Sequence, residues 1–177
     1  AFTAAAIVLG AAAFAKPAAA DPFVDQMFRK SGYVGLLLRP VVCMSNCGSG
    51  TVFSFGAEAG YKFIGLALRY GYKNQAHFLY PDLRFYWEIG MGRNLTLTPL
   101  IEFTPQVTTG GGVSNLDLIV RPGVRIGWAP VPYMMVFLEP IAVDLSFFHR
   151  KSVGSISRTS TDLRAFYTFG FGLQARF

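Results

Sequence analysis

Charge is scarce in this chain, and so are cysteine and histidine. Asp, Glu, Lys and Arg together make up 15% of the 177 residues, against about 25% in average usage. That composition argues against an ordinary soluble domain. Past the N-terminal segment, no apolar run approaches the roughly 18–20 residues of a spanning helix. A helical membrane protein is therefore excluded too. The two cysteines, Cys43 and Cys47, stand in a Gly/Ser/Asn-rich stretch with no His or Asp beside them. Four metal ligands cannot be assembled there, so no metal is expected. The run Gly110-Gly111-Gly112 opens no helix and follows no phosphate-loop pattern, so it reads as loop slack and no cofactor is expected. The net charge of +6 is spread along the chain. Nothing in it forms the concentrated basic face that nucleic acid requires.

What the chain does hold is aromatic and aliphatic. Hydrophobic residues are 52% of it, and Phe alone counts 17. Residues 1–20 read as a signal peptide without its Met and basic n-region. An apolar stretch from Ala4 to Ala15 is followed by Lys16-Pro17, and Ala18-Ala19-Ala20 is a small-residue cleavage site. Export makes a Cys43–Cys47 disulfide the expected state, with free thiols the alternative. Residues 21–31 read as a short periplasmic arm, and 32–177 as the folded domain.

From Gly32 onward the dominant period is two. Phe53, Phe55, Ala57, Ala59 and Tyr61 share one face, and Ser54, Gly56, Glu58 and Gly60 the other. The same contrast recurs over 64–73, 83–92, 95–103 and 116–128, and most regularly over 162–177. The first strand, about Gly32 to Val42, is weaker, because Leu37 and Val41 share a face with Arg39. In the seventh, about Tyr133 to Phe148, Glu139 and Asp144 have opposite parity, which predicts a bulge near Glu139-Pro140. Eight strands result. Connections are tight at 62–63, 92–94 and 129–132, and long at 43–50, 74–82, 105–115 and 149–161. Short turns on one side and long loops on the other are the pattern of bacterial membrane barrels. A soluble barrel would turn its apolar face inward, yet here the polar face is the glycine-rich one. Glycine suits a crowded lumen and serves no purpose on a solvated surface. The expected fold is all-β, an eight-stranded antiparallel up-and-down transmembrane β-barrel.

Such a barrel has an interior just wide enough for side chains. Charges placed there by parity must pair. The expected lumen network is Glu58, Arg69, Arg84, Glu88, Glu102, Asp117, Arg121, Arg125, Asp162 and Arg164, with Lys62 and Lys73 also inward. Glu88 with Arg69, and Asp117 or Glu102 with Arg121 and Arg125, are the expected pairs. His149, Arg150, Lys151 and Arg158 form a basic loop suited to lipopolysaccharide phosphates or to an anionic surface. His149 and Ser152 are weak catalytic candidates, with Glu102 or Asp144 as the acid; the bland alternative is a solvated loop histidine. Pro99, Pro122 and Pro140 fall inside strands, where a closed wall has no edge to hide a missing donor. Bulges are the simpler account of them.

The last residues, Tyr167-Thr168-Phe169-Gly170-Phe171-Gly172-Leu173-Gln174-Ala175-Arg176-Phe177, resemble the terminal strand of Gram-negative outer-membrane proteins. In that group the stripe ending in Phe is the signal read by the barrel-assembly machinery. The resemblance assigns that role to Tyr167, Phe169, Phe171, Leu173 and Phe177. Residues 32–177 as a whole resemble the small eight-stranded class, which includes the outer-membrane protein A transmembrane domain, the outer-membrane protein X and attachment-invasion group, and the lipid A-modifying barrels. The resemblance implies an integral outer-membrane location, long loops outside and both termini periplasmic. It implies lipid and lipopolysaccharide as neighbours, the assembly machinery as a partner, and a host or cell-surface ligand as a candidate. The expected role is non-enzymatic, in envelope integrity or adhesion through the loops, with a lipid A-modifying enzyme or a narrow channel as alternatives. Lipid A deacylase barrels carry a His-x-Ser pair on a strand; His149-Arg150-Lys151-Ser152 is one residue too long for it. In the lipid A palmitoyltransferase barrel, strand prolines admit lipid from the side.

Overall fold

The computed structural model describes residues 32–43, 51–92 and 94–177; the expected signal peptide, the expected arm and Cys47 lie outside them. Ten antiparallel strands form the wall. In chain order they are β1 (Gly32–Cys43), β2 (Val52–Tyr61), β3 (Ile64–Lys73), β4 (Ala76–Tyr86), β5 (Ile89–Gly92), β6 (Leu95–Gly110), β7 (Val113–Val131), β8 (Met134–Val153), β9 (Ile156–Ser160) and β10 (Arg164–Arg176). The pairing order is β10-β1-β2-β3-β4-β6-β7-β8, with β5 on β6 and β9 on β8, and β10 pairs with both β1 and β8, so the sheet closes. The short β5 continues β4, and β9 continues β10 as its upper half. The barrel therefore has eight staves.

The two faces are inverted relative to a soluble barrel. Leu68 is 55% exposed on the outside, while Arg69 beside it is fully buried inside. Every stave repeats that choice. Facing lipid costs an aliphatic side chain nothing, so the wall is apolar outward, and the buried charges lie inward. Tyr61, Phe63, Trp87, Trp128, Tyr133 and Phe177 ring the outside at the end that carries both described termini. Tyr70, Tyr72 and His77 mark the other rim, where the Tyr70 hydroxyl lies 2.6 Å from His77 Nδ1. Amphipathic rings at both borders fit a bilayer-spanning band.

Three of the four expected long loops are strand instead. β4 begins at Ala76 after an Asn74-Gln75 turn, and β6 and β7 meet at Gly111-Gly112. β8 and β9 form a hairpin closed at Gly154-Ser155. The glycine run is thus no slack. Gly111 and Gly112 both have positive φ, +56° and +77°, as a tight hairpin turn requires. β6 to β9 consequently rise past the other described strands as a wall. Its Ser and Thr residues are exposed or half-exposed on both faces, so the alternation contrast that marks a half-buried strand weakens. The expected turn at 129–132 is narrower, at Pro132-Tyr133.

β8 carries two bulges. Relative to β7, Val124 faces Ile141 while Ile126 faces Leu138; relative to β10, Thr168 faces Ala142 while Gly170 faces Glu139. One residue is inserted at Glu139-Pro140-Ile141, where the sequence predicts it. The Tyr167 hydroxyl donates to the Pro140 carbonyl there. The second lies at Phe147, since Leu118 faces Phe148 and Ile119 faces Ser146. Pro122 and Pro99 sit in no bulge. Pro122 marks a break in β7–β8 pairing between Val120–Leu145 and Gly123–Ala142. Pro99, beside the irregular residues 87–88, keeps its carbonyl bonded to the Trp87 amide at 3.1 Å.

Glycine makes the interior possible. A Cβ on Gly172 would stand 2.2 Å from the Leu36 carbonyl oxygen and 2.4 Å from the Phe137 ring. Arg placed at Leu68 instead puts a charge on the lipid face. It is expected to cost about 2–4 kcal/mol near the midplane, measured by denaturant titration in lipid vesicles; unchanged stability would mean that the faces are reversed.

Candidate functional site

Parity delivers side chains to the lumen in layers. Nearest the end with the termini lies an apolar floor of Leu37, Ala129, Met135 and Phe137, with Tyr33, Tyr86 and Leu100 beside it. Tyr33 and Tyr86 meet edge to face at 5.8 Å. At this level Arg176 forms two bonds to Glu88, one of them at 2.8 Å.

Above the floor the lumen is ionic. Glu102, on β6, is its hub. It accepts from Arg39 at 2.7 Å, from Arg84 at 2.6 Å and from Arg121 at 2.5 Å. Arg39 also reaches Glu139, and Arg84 reaches Glu58. Arg125 joins Glu58 at 3.0 Å to Glu139 at 2.7 Å, and its guanidinium lies 3.7 Å from the Phe137 ring centroid. Arg121 donates twice to Asp144, once at 2.7 Å. Gln174 donates to Glu58 at 2.6 Å. The next layer is smaller. Arg69 grips Asp82 with two bonds of 2.6 and 2.9 Å, Thr104 donates to Asp82 at 2.5 Å, and Ser54 accepts from Arg69 at 3.1 Å.

Inside the barrel six described arginines thus meet six carboxylates. Bidentate and shared geometry of this kind pairs each guanidinium with carboxylate, as a low-dielectric interior demands, although Arg39 Nε and Arg176 Nε stay without a hydrogen bond. Of the expected set, Glu58, Arg69, Arg84, Glu102, Arg121 and Arg125 lie in this core, and Glu102 pairs with Arg121. The expected Glu88–Arg69 pair does not form. Glu88 follows the break after β4 and lies one layer below, against Arg176. Asp117 does not meet Arg121 or Arg125, because it sits one layer above them with His149. Asp162 and Arg164 are exposed at the rim, 3.8 Å apart. Lys62 lies in a turn, at φ +55°.

Arg39, Asp82, Glu139, Asp144 and Arg176 belong to the network and were absent from the expected set. Each had a signal. Arg39 was the odd charge on the face of Leu37. Asp82 shares parity with Arg84. The opposite parities of Glu139 and Asp144 are reconciled by the bulge between them, and Arg176 lies on the polar face of β10.

His149 is no loop residue. The bulge at Phe147 turns it inward, and it is 8% exposed. Its Nδ1 lies 2.7 Å from Asp117 Oδ1 and its Nε2 2.8 Å from the Asp162 carbonyl oxygen. Ser146 Oγ approaches the same Nδ1 at 3.5 Å. A hydrolytic relay needs acid and nucleophile on opposite ring nitrogens. Here both contest one nitrogen while a backbone carbonyl holds the other. Ser152 bonds Ser157 at 3.4 Å on the opposite face of the hairpin, away from His149. The expected basic cluster divides as well. Arg150 faces outward, while Lys151 and Arg158 stand opposite each other on the face turned toward the barrel axis. Among the described residues no group of three or more His, Cys, Asp and Glu could hold a metal.

No family model and no curated protein matches the chain. Solved structures do. The N-terminal β-barrel domain of Pseudomonas aeruginosa OprF is similar with TM-score 0.51 at 11% identity, over 84% of this chain and 98% of that one. Neisserial surface protein A gives 0.49 at 17%, over 82% and 97%. A major outer membrane protein from Thermus thermophilus gives 0.46 at 13%, over 83% and 100%. At these identities the likeness to the OprF domain is one of fold.

The Arg69–Asp82 pair gives a clean test of the lumen. Arg69→Met strands a buried carboxylate and is expected to cost about 3–5 kcal/mol. The double variant Arg69→Met/Asp82→Leu should cost clearly less. Additive losses in a double-mutant cycle, read by urea titration in vesicles, would show that the two groups are not coupled.

Proposed function

We propose that this chain is a bacterial outer-membrane barrel sealed by its own side chains, which supports the envelope or mediates adhesion through the surface of its β6–β9 wall. One observation carries the reading: a continuous, charge-balanced network fills the lumen at the level of Glu102, resting on an apolar floor. Such a plug leaves no room for a water column, so the working surface is the outside. The inverted faces and the fold likeness support the outer-membrane location. In this orientation the wall stands outside the cell and both ends of the barrel domain face the periplasm.

Lipopolysaccharide contact falls, in this reading, to the outward face of the wall. Arg150 stands there with Ser152, Ser157 and Thr159, a set that offers one cation and several hydroxyls to phosphates and sugars. The stripe Tyr167, Phe169, Phe171, Leu173 and Phe177 lies on the lipid side of β10 and offers the assembly machinery a continuous apolar edge. Removing Phe177 should lower the folded, heat-modifiable fraction in the outer membrane while export continues. Undiminished folding would remove that role.

Refolded protein in planar bilayers should show no reproducible unitary current in molar salt. A stable step in every preparation would overturn the sealed-barrel reading and make the chain a narrow channel.

A further inference from the structure

Among the described residues, the wall ends in a strand with one neighbour. β9 pairs with β8 from His149–Ser160 to Val153–Ile156, and no described residue pairs with its other side. The two-residue turn makes Val153–Ile156 a hydrogen-bonded pair, and such pairs alternate along a hairpin. Ile156, Arg158 and Ser160 therefore direct their backbone groups to β8. Ser157 and Thr159 direct theirs outward, each with one donor and one acceptor. An edge of this kind is a template for strand addition.

The side chains say what would fit. Arg158 lies directly opposite Lys151 on one face of the hairpin, and like charges so placed repel. From Leu145 to Thr161 the chain contains no acidic residue. Ile156, 74% exposed, flanks Arg158 on the same face. A second copy of this chain is a poor occupant: the antiparallel register that pairs all five β9 residues sets Arg158 against Arg158.

We propose that the outer edge of β9 captures an extended acidic segment of another protein as an added antiparallel strand. Its acidic residue sits opposite Arg158, an apolar one opposite Ile156, and hydroxyl-bearing residues opposite Ser157 and Thr159. Read along the incoming strand, the pattern is Ser-Thr-Glu-Thr-Val. The inference rests on the reading of the wall as an external adhesive surface and names its partner by chemistry.

The probe is a blocked peptide that carries this pattern, with two controls: the same peptide N-methylated at alternate backbone nitrogens, and one with Lys in place of Glu. With protein alone in nanodiscs, Ser157 and Thr159 amides should exchange with deuterium fast and the Arg158 amide slowly. Adding the peptide should protect Ser157 and Thr159. The N-methylated control should not protect them, and Arg158→Glu should weaken binding roughly tenfold while favouring the Lys peptide. Slow exchange at Ser157 and Thr159 before any peptide is added would mean the edge is already covered, and would overturn the proposal. Equal effects of the N-methylated peptide would overturn it too, by reducing it to unspecific charge attraction. Neither result touches the sealed lumen, which stands or falls on conductance.

Discussion

Everything inside this barrel depends on burying arginine. A guanidinium cannot shed its charge, so within a bore filled by side chains it must meet carboxylates. Eight staves set that bore. Arg39, Arg84 and Arg121 share Glu102 because three staves aim them at one level of a narrow tube. Glu58 and Glu139 then complete Arg84, Arg39 and Arg125. The network also dictates where side chains cannot be. Gly170 lies between Arg39 and Glu139, and a Cβ there would stand 3.0 Å from the Glu139 carboxylate and 3.3 Å from Arg39 Nε. The glycines of the polar face are thus the complement of the arginines.

How much of this was legible beforehand differs by region, for physical reasons. Where a strand has lipid on one side and lumen on the other, as in β2, β3 and β10, alternation gives register and facing directly. Where both faces are polar and largely exposed, as at 108–114 and 150–160, the contrast weakens and hairpins read as loops. Parity puts Glu58, Arg84 and Arg125 on the inner face, where they are buried, but it puts Asp162 and Arg164 there too, and these lie exposed at the rim. Pairing did not follow, because partners depend on stagger. Glu88 and Arg69 share a face and lie on adjacent staves, yet they belong to different levels.

The bulges of β8 show a different kind of information. Opposite parity of Glu139 and Asp144 is visible in the sequence, and Pro140 between them says where the extra residue goes. The insertion at Phe147 carries no such mark. Phe147-Phe148 is a plain aromatic pair, and either ring could face lipid. That unmarked insertion decides whether His149 points to lipid or to Asp117, and hence whether the histidine forms a rim contact at all.

The prolines connect wall and lumen. β4–β6 pairing runs to Leu79–Val107 and resumes at Leu83–Phe103, which leaves Pro81 directly opposite Pro105. Alternation from the neighbouring two-residue turns points the nitrogens of both toward this seam, so two donors are missing at one place. The residues beside the gap, Asp82 and Thr104, are joined instead by their side chains inside the lumen. Pro122 opens the β7–β8 seam where Arg121 would pair with Asp144, and there the ion pair Arg121–Asp144 crosses the same seam. Pro40 interrupts β1–β10 between Leu38–Phe171 and Val41–Thr168. There Arg39 passes over Gly170 to reach Glu139 on the stave beyond. At these three seams, backbone bonds absent from the wall are matched by side-chain bonds in the lumen. The charged plug is a second set of stitches for the barrel. Cohesion of the wall and packing of the lumen are therefore linked, since the side chains that fill the interior are the ones that cross the Pro81–Pro105, Pro122 and Pro40 seams.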